Sequence, residues 1–162
     1  AVEQGDMALG IDFAMPYAVK IQNATKTRGN FNLGADARYW MSENMNLGAR
    51  FAFDVEKRGT TRAIGLMPGM QYHWNAGETW QPYVRVDLPV TLRGAPNTTG
   101  SKNKQDVGIG AGLGIAWHLG EAIGVENMSI RYDFDISQTF GLGSTIRVTS
   151  LDIFKIGFDY RF

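Results

Sequence analysis

The chain ends in Phe154-Lys155-Ile156-Gly157-Phe158-Asp159-Tyr160-Arg161-Phe162, where apolar or aromatic residues alternate with charged or small ones. A period of two belongs to an extended strand with two unlike faces. Phe154, Ile156, Phe158, Tyr160 and Phe162 make a face suited to hydrocarbon, and Lys155, Gly157, Asp159 and Arg161 make one suited to water or counter-charge. The same pattern recurs upstream, segment after segment.

Met7, Leu9, Ile11, Phe13, Met15 and Tyr17 alternate with Ala8, Gly10, Asp12, Ala14 and Pro16, whose proline predicts a strand end or a bulge. Phe31 to Tyr39 sets Asn32, Gly34, Asp36 and Arg38 on the polar side, and Met45 to Val55 does so with Asn46, Gly48, Arg50, Ala52 and Asp54. Ile64 to Trp74 opposes Gly65, Met67, Gly69, Gln71 and His73; Trp80 to Leu92 opposes Gln81, Tyr83, Arg85, Asp87 and Thr91. Val107 to Trp117 faces a ladder of Gly108, Gly110, Gly112 and Gly114, and Met128 to Ile136 faces Ser129, Arg131, Asp133, Asp135 and Ser137. With the terminal segment these make eight strands. Short connections at 41 to 44, 75 to 79 and 118 to 127 alternate with longer ones at 19 to 29, 56 to 61, 93 to 105 and 138 to 147.

At 162 residues the chain fits one domain over 1–162, and eight strands of about 9–11 residues each fill it. Sixteen basic and sixteen acidic residues cancel, so no overall basic field argues for nucleic acid. Cysteine is absent, which excludes disulfides and thiolate metal sites. No run of about 18 apolar residues exists to form a transmembrane helix. The mean hydropathy of −0.20 does not by itself make the chain soluble, because alternation hides an apolar face inside a polar average. Ala1-Val2-Glu3-Gln4 reads as a processed terminus.

Alternation is shared by soluble barrels with an apolar core and membrane barrels with an apolar outside. Three features favour the second. The polar faces are built from Gly, Ala, Asn, Asp and Arg, with Lys155 their one lysine and no glutamate, whereas a solvent-facing sheet carries many of both. All four tryptophans, Trp40, Trp74, Trp80 and Trp117, neighbour the short turns, as an interfacial girdle requires. The glycine face of the sixth segment makes room inside a narrow barrel for large neighbours such as Tyr83, Arg85 or Arg131. The predicted fold is all-β: an eight-stranded antiparallel up-and-down transmembrane β-barrel.

Strand count, turn alternation, inward charges and the Asp159-Tyr160-Arg161-Phe162 end together resemble the small eight-stranded bacterial outer-membrane barrels, the class of the OmpA membrane domain and OmpX. That resemblance implies a Gram-negative outer-membrane location, short turns and both termini on the periplasmic side, and a last strand read by the barrel-assembly machinery. It also leaves room for a periplasmic domain after Phe162. Members of the class include structural proteins, adhesins and enzymes, so the resemblance does not choose a task. The expected function is a structural, non-enzymatic outer-membrane protein. The alternative is a surface adhesin or partner-binding barrel acting through the loops at 19 to 29, 93 to 105 and 138 to 147.

Two sets of residues are candidates for that work. Asp12, Asp36, Arg38, Arg50, Asp54, Arg85, Asp87, Arg131, Asp133, Asp135, Lys155, Asp159 and Arg161 form an inward set that must pair in so tight a bore, as a structural ion-pair network and not a pathway. Lys20, Lys26, Arg28, Lys57, Arg58, Arg62, Arg93, Lys102, Lys104 and Arg147 crowd the longer loops, while Glu3, Asp6, Glu43, Glu78, Glu121 and Glu126 sit at the opposite rim without a base. Arg58, Arg62, Arg93 and Arg147, nearest the strand ends, are predicted to contact the phosphates of lipopolysaccharide. His73 and His118 point inward at the short-turn rim with no partner at metal-ligand or triad spacing, so no metal, cofactor or catalytic residue is expected. The Gly108 to Gly114 run lacks the helix and the Lys-Ser/Thr of a phosphate loop.

Overall fold

The computed structural model describes residues 3–21, 24–26, 31–55, 63–74, 78–93, 104–125, 127–141 and 147–162. Its strands are β1 (Met7–Ile21), β2 (Ala24–Lys26), β3 (Phe31–Trp40), β4 (Met45–Val55), β5 (Ala63–His73), β6 (Trp80–Asp87), β7 (Val90–Arg93), β8 (Lys104–His118), β9 (Met128–Gly141) and β10 (Arg147–Arg161). One helical turn, α1 (Gly120–Ile123), lies between β8 and β9 and closes on Gly124, whose φ of 73° suits a residue without Cβ. Each spanning strand pairs antiparallel with its neighbours, and β10 returns to β1. The sheet is therefore a closed eight-stranded barrel, with β6 and β7 as two halves of one span and β2 folding back along the end of β1.

Closure joins the first and last spans, so among the described residues the eight spans have a partner strand on both sides, which is what a hydrocarbon surrounding demands. The side chains divide as the alternation requires. Leu9, Ile11, Phe51, Leu66, Val86, Ile109, Leu113, Ile136 and Phe158 are exposed on the outside, while the buried set is mostly Asp, Arg, Gln, Lys and Ala. This is an inverted protein, apolar without and polar within.

Four details depart from the sequence reading. Trp40 is buried inside the bore and not in the girdle, whereas Trp74 and Trp80 are exposed and Trp80 stacks on Trp117 at 5.3 Å. At Trp40 the strand still pairs, with Asn46, so alternation overrides rim position and turns the indole inward. The fifth span breaks at Leu88 and Pro89, where Pro89 has no N–H to give; Leu88 N–H donates to the Pro68 carbonyl at 2.9 Å and Gly108 N–H to the Pro89 carbonyl at 2.9 Å, which keeps the wall continuous. Of the connection expected from 138 to 147, residues 138–141 and 147 are strand, as are Lys20, Lys26, Arg93 and Lys104. The short-turn rim is not free of bases, since Arg161 Nε reaches Asp6 Oδ2 at 3.7 Å. Pro16 does sit at a bulge: the β1–β10 register shifts on both sides of it.

The strands are unequal. β3, β4 and β5 have 10, 11 and 11 residues, whereas β1, β8, β9 and β10 have 15, 15, 14 and 15. At about 3.3 Å per residue and a tilt of about 35–45°, a 15-residue strand rises about 35–40 Å against an apolar band of about 25 Å. Among the described residues the long strands β8, β9, β10 and β1, consecutive around the wall, exceed such a band.

Candidate functional site

The bore holds three groups of paired charges, each assembled from several strands. In the first, Arg38 pairs with Asp36, donates to Gln71 Oε1 at 3.0 Å and approaches Asp159 at 3.4 Å. Arg131 joins the same group through Asp159, through Asp36 at 3.4 Å and through Asp133 at 3.3 Å. Here two cations meet three carboxylates, and the Tyr83 hydroxyl donates to Asp133 to satisfy the third. In the second group Arg85 lies 3.1 Å from Asp87 and pairs with Asp135, to which Lys155 Nζ donates at 3.0 Å. In the third, Arg50 grips Asp12 with two nitrogens, Nε at 2.7 Å, and donates to Asn32 Oδ1 at 2.6 Å.

Of the inward charges read from the sequence, Asp12, Asp36, Arg38, Arg50, Arg85, Asp87, Arg131, Asp133, Asp135, Lys155 and Asp159 are brought together in these groups. Arg161 turns away to Asp6 at the rim, and the side chain of Asp54 lies outside the described residues. Arg58 and Arg62 also lie outside them, and for Arg93 and Arg147 only the backbone position is described, at the ends of β7 and β10. Asp36 with Arg38, Arg85 with Asp87 and Arg131 with Asp133 are each two apart, and hence neighbours on one strand face. That spacing is the signal by which these pairs can be found.

Every large interior side chain needs a small one opposite, and glycine supplies it. A Cβ on Gly114 would run into the Tyr83 ring and Asp133, one on Gly112 into Asp135, one on Gly110 into Asp87 and one on Gly157 into Arg131. Arg131 thus finds its space against β10 and not against the β8 glycine ladder. Replacing Gly114 with Val is expected to cost about 1–3 kcal/mol through overpacking. The control is Gly65→Ala, where the nearest atom to a new Cβ is the flexible Met67 Cε at 3.5 Å. Urea titrations in vesicles should show the first change and little of the second.

Near the short-turn rim, residues that a search for charges passes over cross the bore. Trp40 on β3 meets His73 on β5 edge to face at 4.7 Å, His73 stacks on Tyr83 of β6 at 4.7 Å, and Tyr83 bonds Asp133 of β9. Gln71 Oε1 ties this septum to the first charge group, accepting from Arg38 and from Asn46 Nδ2 at 3.3 Å, with His73 Nε2 3.1 Å away. Two cavities of about 30 Å³ lie in the bore, one beside each of these layers. By volume each has room for about two waters. Among the described residues no group of three or more His, Cys, Asp or Glu is arranged to hold a metal.

The similarities to known proteins concern the whole chain. In three solved structures the same barrel recurs: Neisserial surface protein A, at TM-score 0.72 and 13% identity, covering 98% of this chain and 99% of that one; the N-terminal β-barrel domain of Pseudomonas aeruginosa OprF, at 0.68 and 14%, covering 99% and 100%; and Ail, the attachment invasion locus protein of Yersinia pestis, at 0.61 and 14%, covering 99% and 100%. Ail has also been determined in complex with the heparin analogue sucrose octasulfate. At such identities the likeness is one of fold, and among curated proteins no sequence is a significant match. The profile of the outer membrane protein beta-barrel domain does match, over residues 2–162, and with an inverted, edge-free barrel already established it is decisive: the chain belongs to that family of outer-membrane barrels.

Proposed function

We propose that this is a non-conducting, non-enzymatic barrel whose bore is structural and whose work is done at the long-loop rim, held in the outer leaflet by contacts to lipopolysaccharide. The observation that carries the reading is the septum from Trp40 through His73 and Tyr83 to Asp133 and Arg131, backed by charges that are paired within the bore. A lumen of about eight strands filled in this way leaves no aqueous column. Reconstituted into planar bilayers, the protein is expected to show no steady conductance. Stable, ion-selective channels whose selectivity changes in Asp133→Asn would replace this reading with a pore.

The chain ends at Phe162 beside Met7, and the short-turn rim carries Glu3, Glu43 and Glu78; we place this rim in the periplasm, with the last strand as the handle for the assembly machinery. The opposite rim gathers bases at strand ends. Backbone register pairs Arg93 of β7 with Lys104 of β8, and a rung made of two basic residues is destabilising without an anion to offset them. Outer-leaflet phosphates are such anions. The test compares thermal unfolding of wild type and an Arg58, Arg62, Arg93 and Arg147→Gln variant in phosphatidylcholine vesicles with and without lipopolysaccharide. Wild type should gain the larger stabilisation, weakened by salt because exposed pairs are screened over about 8–10 Å. An equal shift in both proteins gives the basic rim another purpose.

The 14- and 15-residue strands favour a second reading, recognition of a partner by the projecting wall. Ail, a similar barrel, has been seen with a sulfated sugar analogue, which keeps anionic surface ligands in view. Binding of sulfated glycans to the wild type, lost in the Arg→Gln variant while its response to lipopolysaccharide is kept, would support recognition over anchoring.

A further inference from the structure

The cavity beside the short-turn rim has an unusual wall. Trp40, His73, Gln81 and His118 line it, and each presents a side-chain atom that has no hydrogen-bond partner among the described residues: Trp40 Nε1, His73 Nδ1, Gln81 Oε1 and His118 Nε2. Trp40, His73 and Gln81 are only 5%, 2% and 1% exposed, so bulk solvent does not reach them freely. Buried polar atoms almost always have a partner, and four orphans converging on one cavity call for a ligand within it.

The chemistry of the four atoms selects that ligand. An indole N–H can only donate and a carboxamide oxygen can only accept. His73 Nε2 lies 3.1 Å from Gln71 Oε1, an acceptor, and 3.4 Å from Asn46 Nδ2, a donor; the nearer contact assigns the proton to Nε2 and leaves Nδ1 as a second acceptor. The occupant must therefore donate to Gln81 and His73 and accept from Trp40. An anion fails the first requirement and a metal ion the second, and on the same wall Arg38, Arg131 and Arg161 outnumber Asp159, which disfavours a cation. We propose that the cavity is a hydration site in which ordered water bridges Trp40 Nε1–H, His73 Nδ1, Gln81 Oε1 and His118 Nε2. Its volume of about 30 Å³ suits two molecules, at about 10–15 Å³ for each on this measure and two to four bonds apiece. Asn127 and the half-buried Arg161 form its outer edge and give water its way in.

The site makes the septum a boundary: its Trp40–His73 edge is hydrogen-bonded to water from the short-turn rim. The test uses the whole barrel in lipid nanodiscs with ¹⁵N-labelled tryptophan and histidine. Water cross-relaxation is expected at the Trp40 indole proton, identified by its loss in Trp40→Phe, together with a His73 Nδ1 shift typical of an unprotonated nitrogen. Gln81→Leu should weaken the Trp40 cross-peak at unchanged far-UV circular dichroism, and Gln81→Glu should keep it. Three results overturn the proposal. One is an indole proton without contact to water; another is a His73 Nδ1 that carries the proton and donates it directly to Gln81. The third is a one-to-one shift of both histidines on adding Zn²⁺ or Cu²⁺, which makes the cavity a metal site.

Discussion

Arg131→Met is expected to lower the unfolding free energy in phospholipid vesicles by about 3–5 kcal/mol, because removing one partner of a buried ion group strands the other. Arg131 is 1% exposed and faces Asp36, Asp133 and Asp159, so its loss leaves Asp36 and Asp159 to share Arg38, and Asp133 with the Tyr83 hydroxyl and its ladder neighbour Lys155. The surplus charge, more than the missing bonds, causes the damage. Adding Asp36→Asn and Asp159→Asn to Arg131→Met should therefore recover at least half of the loss, although it removes two more ionic groups. Reversible urea titration followed by tryptophan fluorescence makes the comparison. A cost below about 1 kcal/mol for the single variant would show that water or protonation relieves the bore, contrary to a closed interior.

The second large effect is expected on the other face of the wall. Leu113 and Val86 are 60% and 56% exposed; Leu113 lies within β8, and Val86 midway along the span that β6 and β7 make together. Arginine at either position should cost about 2–4 kcal/mol in a bilayer, falling toward zero for positions near the rims. Leu113→Phe, which keeps the surface apolar, should be close to neutral. If Leu113→Arg were harmless while Gly112→Arg abolished folding in vesicles, the outward face would not be in contact with lipid. Gly112 has its own reason to resist substitution, since any Cβ there meets Asp135.

How much of this was legible in the sequence depended on what each signal measures. Alternation measures which face a residue takes, so it located all eight spans and the outward set from Leu9 to Phe158. It does not measure where pairing stops. Gln138 to Gly141 and Arg147 to Leu151 lack a clean alternation, yet they pair with each other from Arg147↔Phe140 to Leu151↔Ile136 because each supplies the other's ladder. Nor does it notice Pro89, whose missing N–H interrupts the span without disturbing the order of faces. For Trp40 two signals conflicted, rim position against alternation, and alternation prevailed. Partners inside the bore follow from register and closure: Asp159 passes over Arg161, two residues along its own strand, for Arg131 and Arg38 on other strands.

Met7 N–H donates to the Phe162 carbonyl at 3.1 Å and Phe162 N–H to the Met7 carbonyl at 2.9 Å, the first rung of a seam that runs from Ala8↔Arg161 to Ile21↔Val148. These residues are among the most distant in the sequence, and bringing them together costs about 4–5 kcal/mol in chain entropy by the logarithmic law for closing a loop of that length. Nothing local rewards the search, whereas the other pairings between described spans, counting β6 and β7 as one, join spans that follow one another in sequence. Until the seam zips, the sheet has two bare edges, and Asp159 and Arg131 lack their partners Arg38 and Asp36 on the far side of it, so a half-built wall gains little over an unfolded one. Folding is thereby set to run slowly and to finish all at once, with the register shifts on both sides of Pro16 lying on the last line to close.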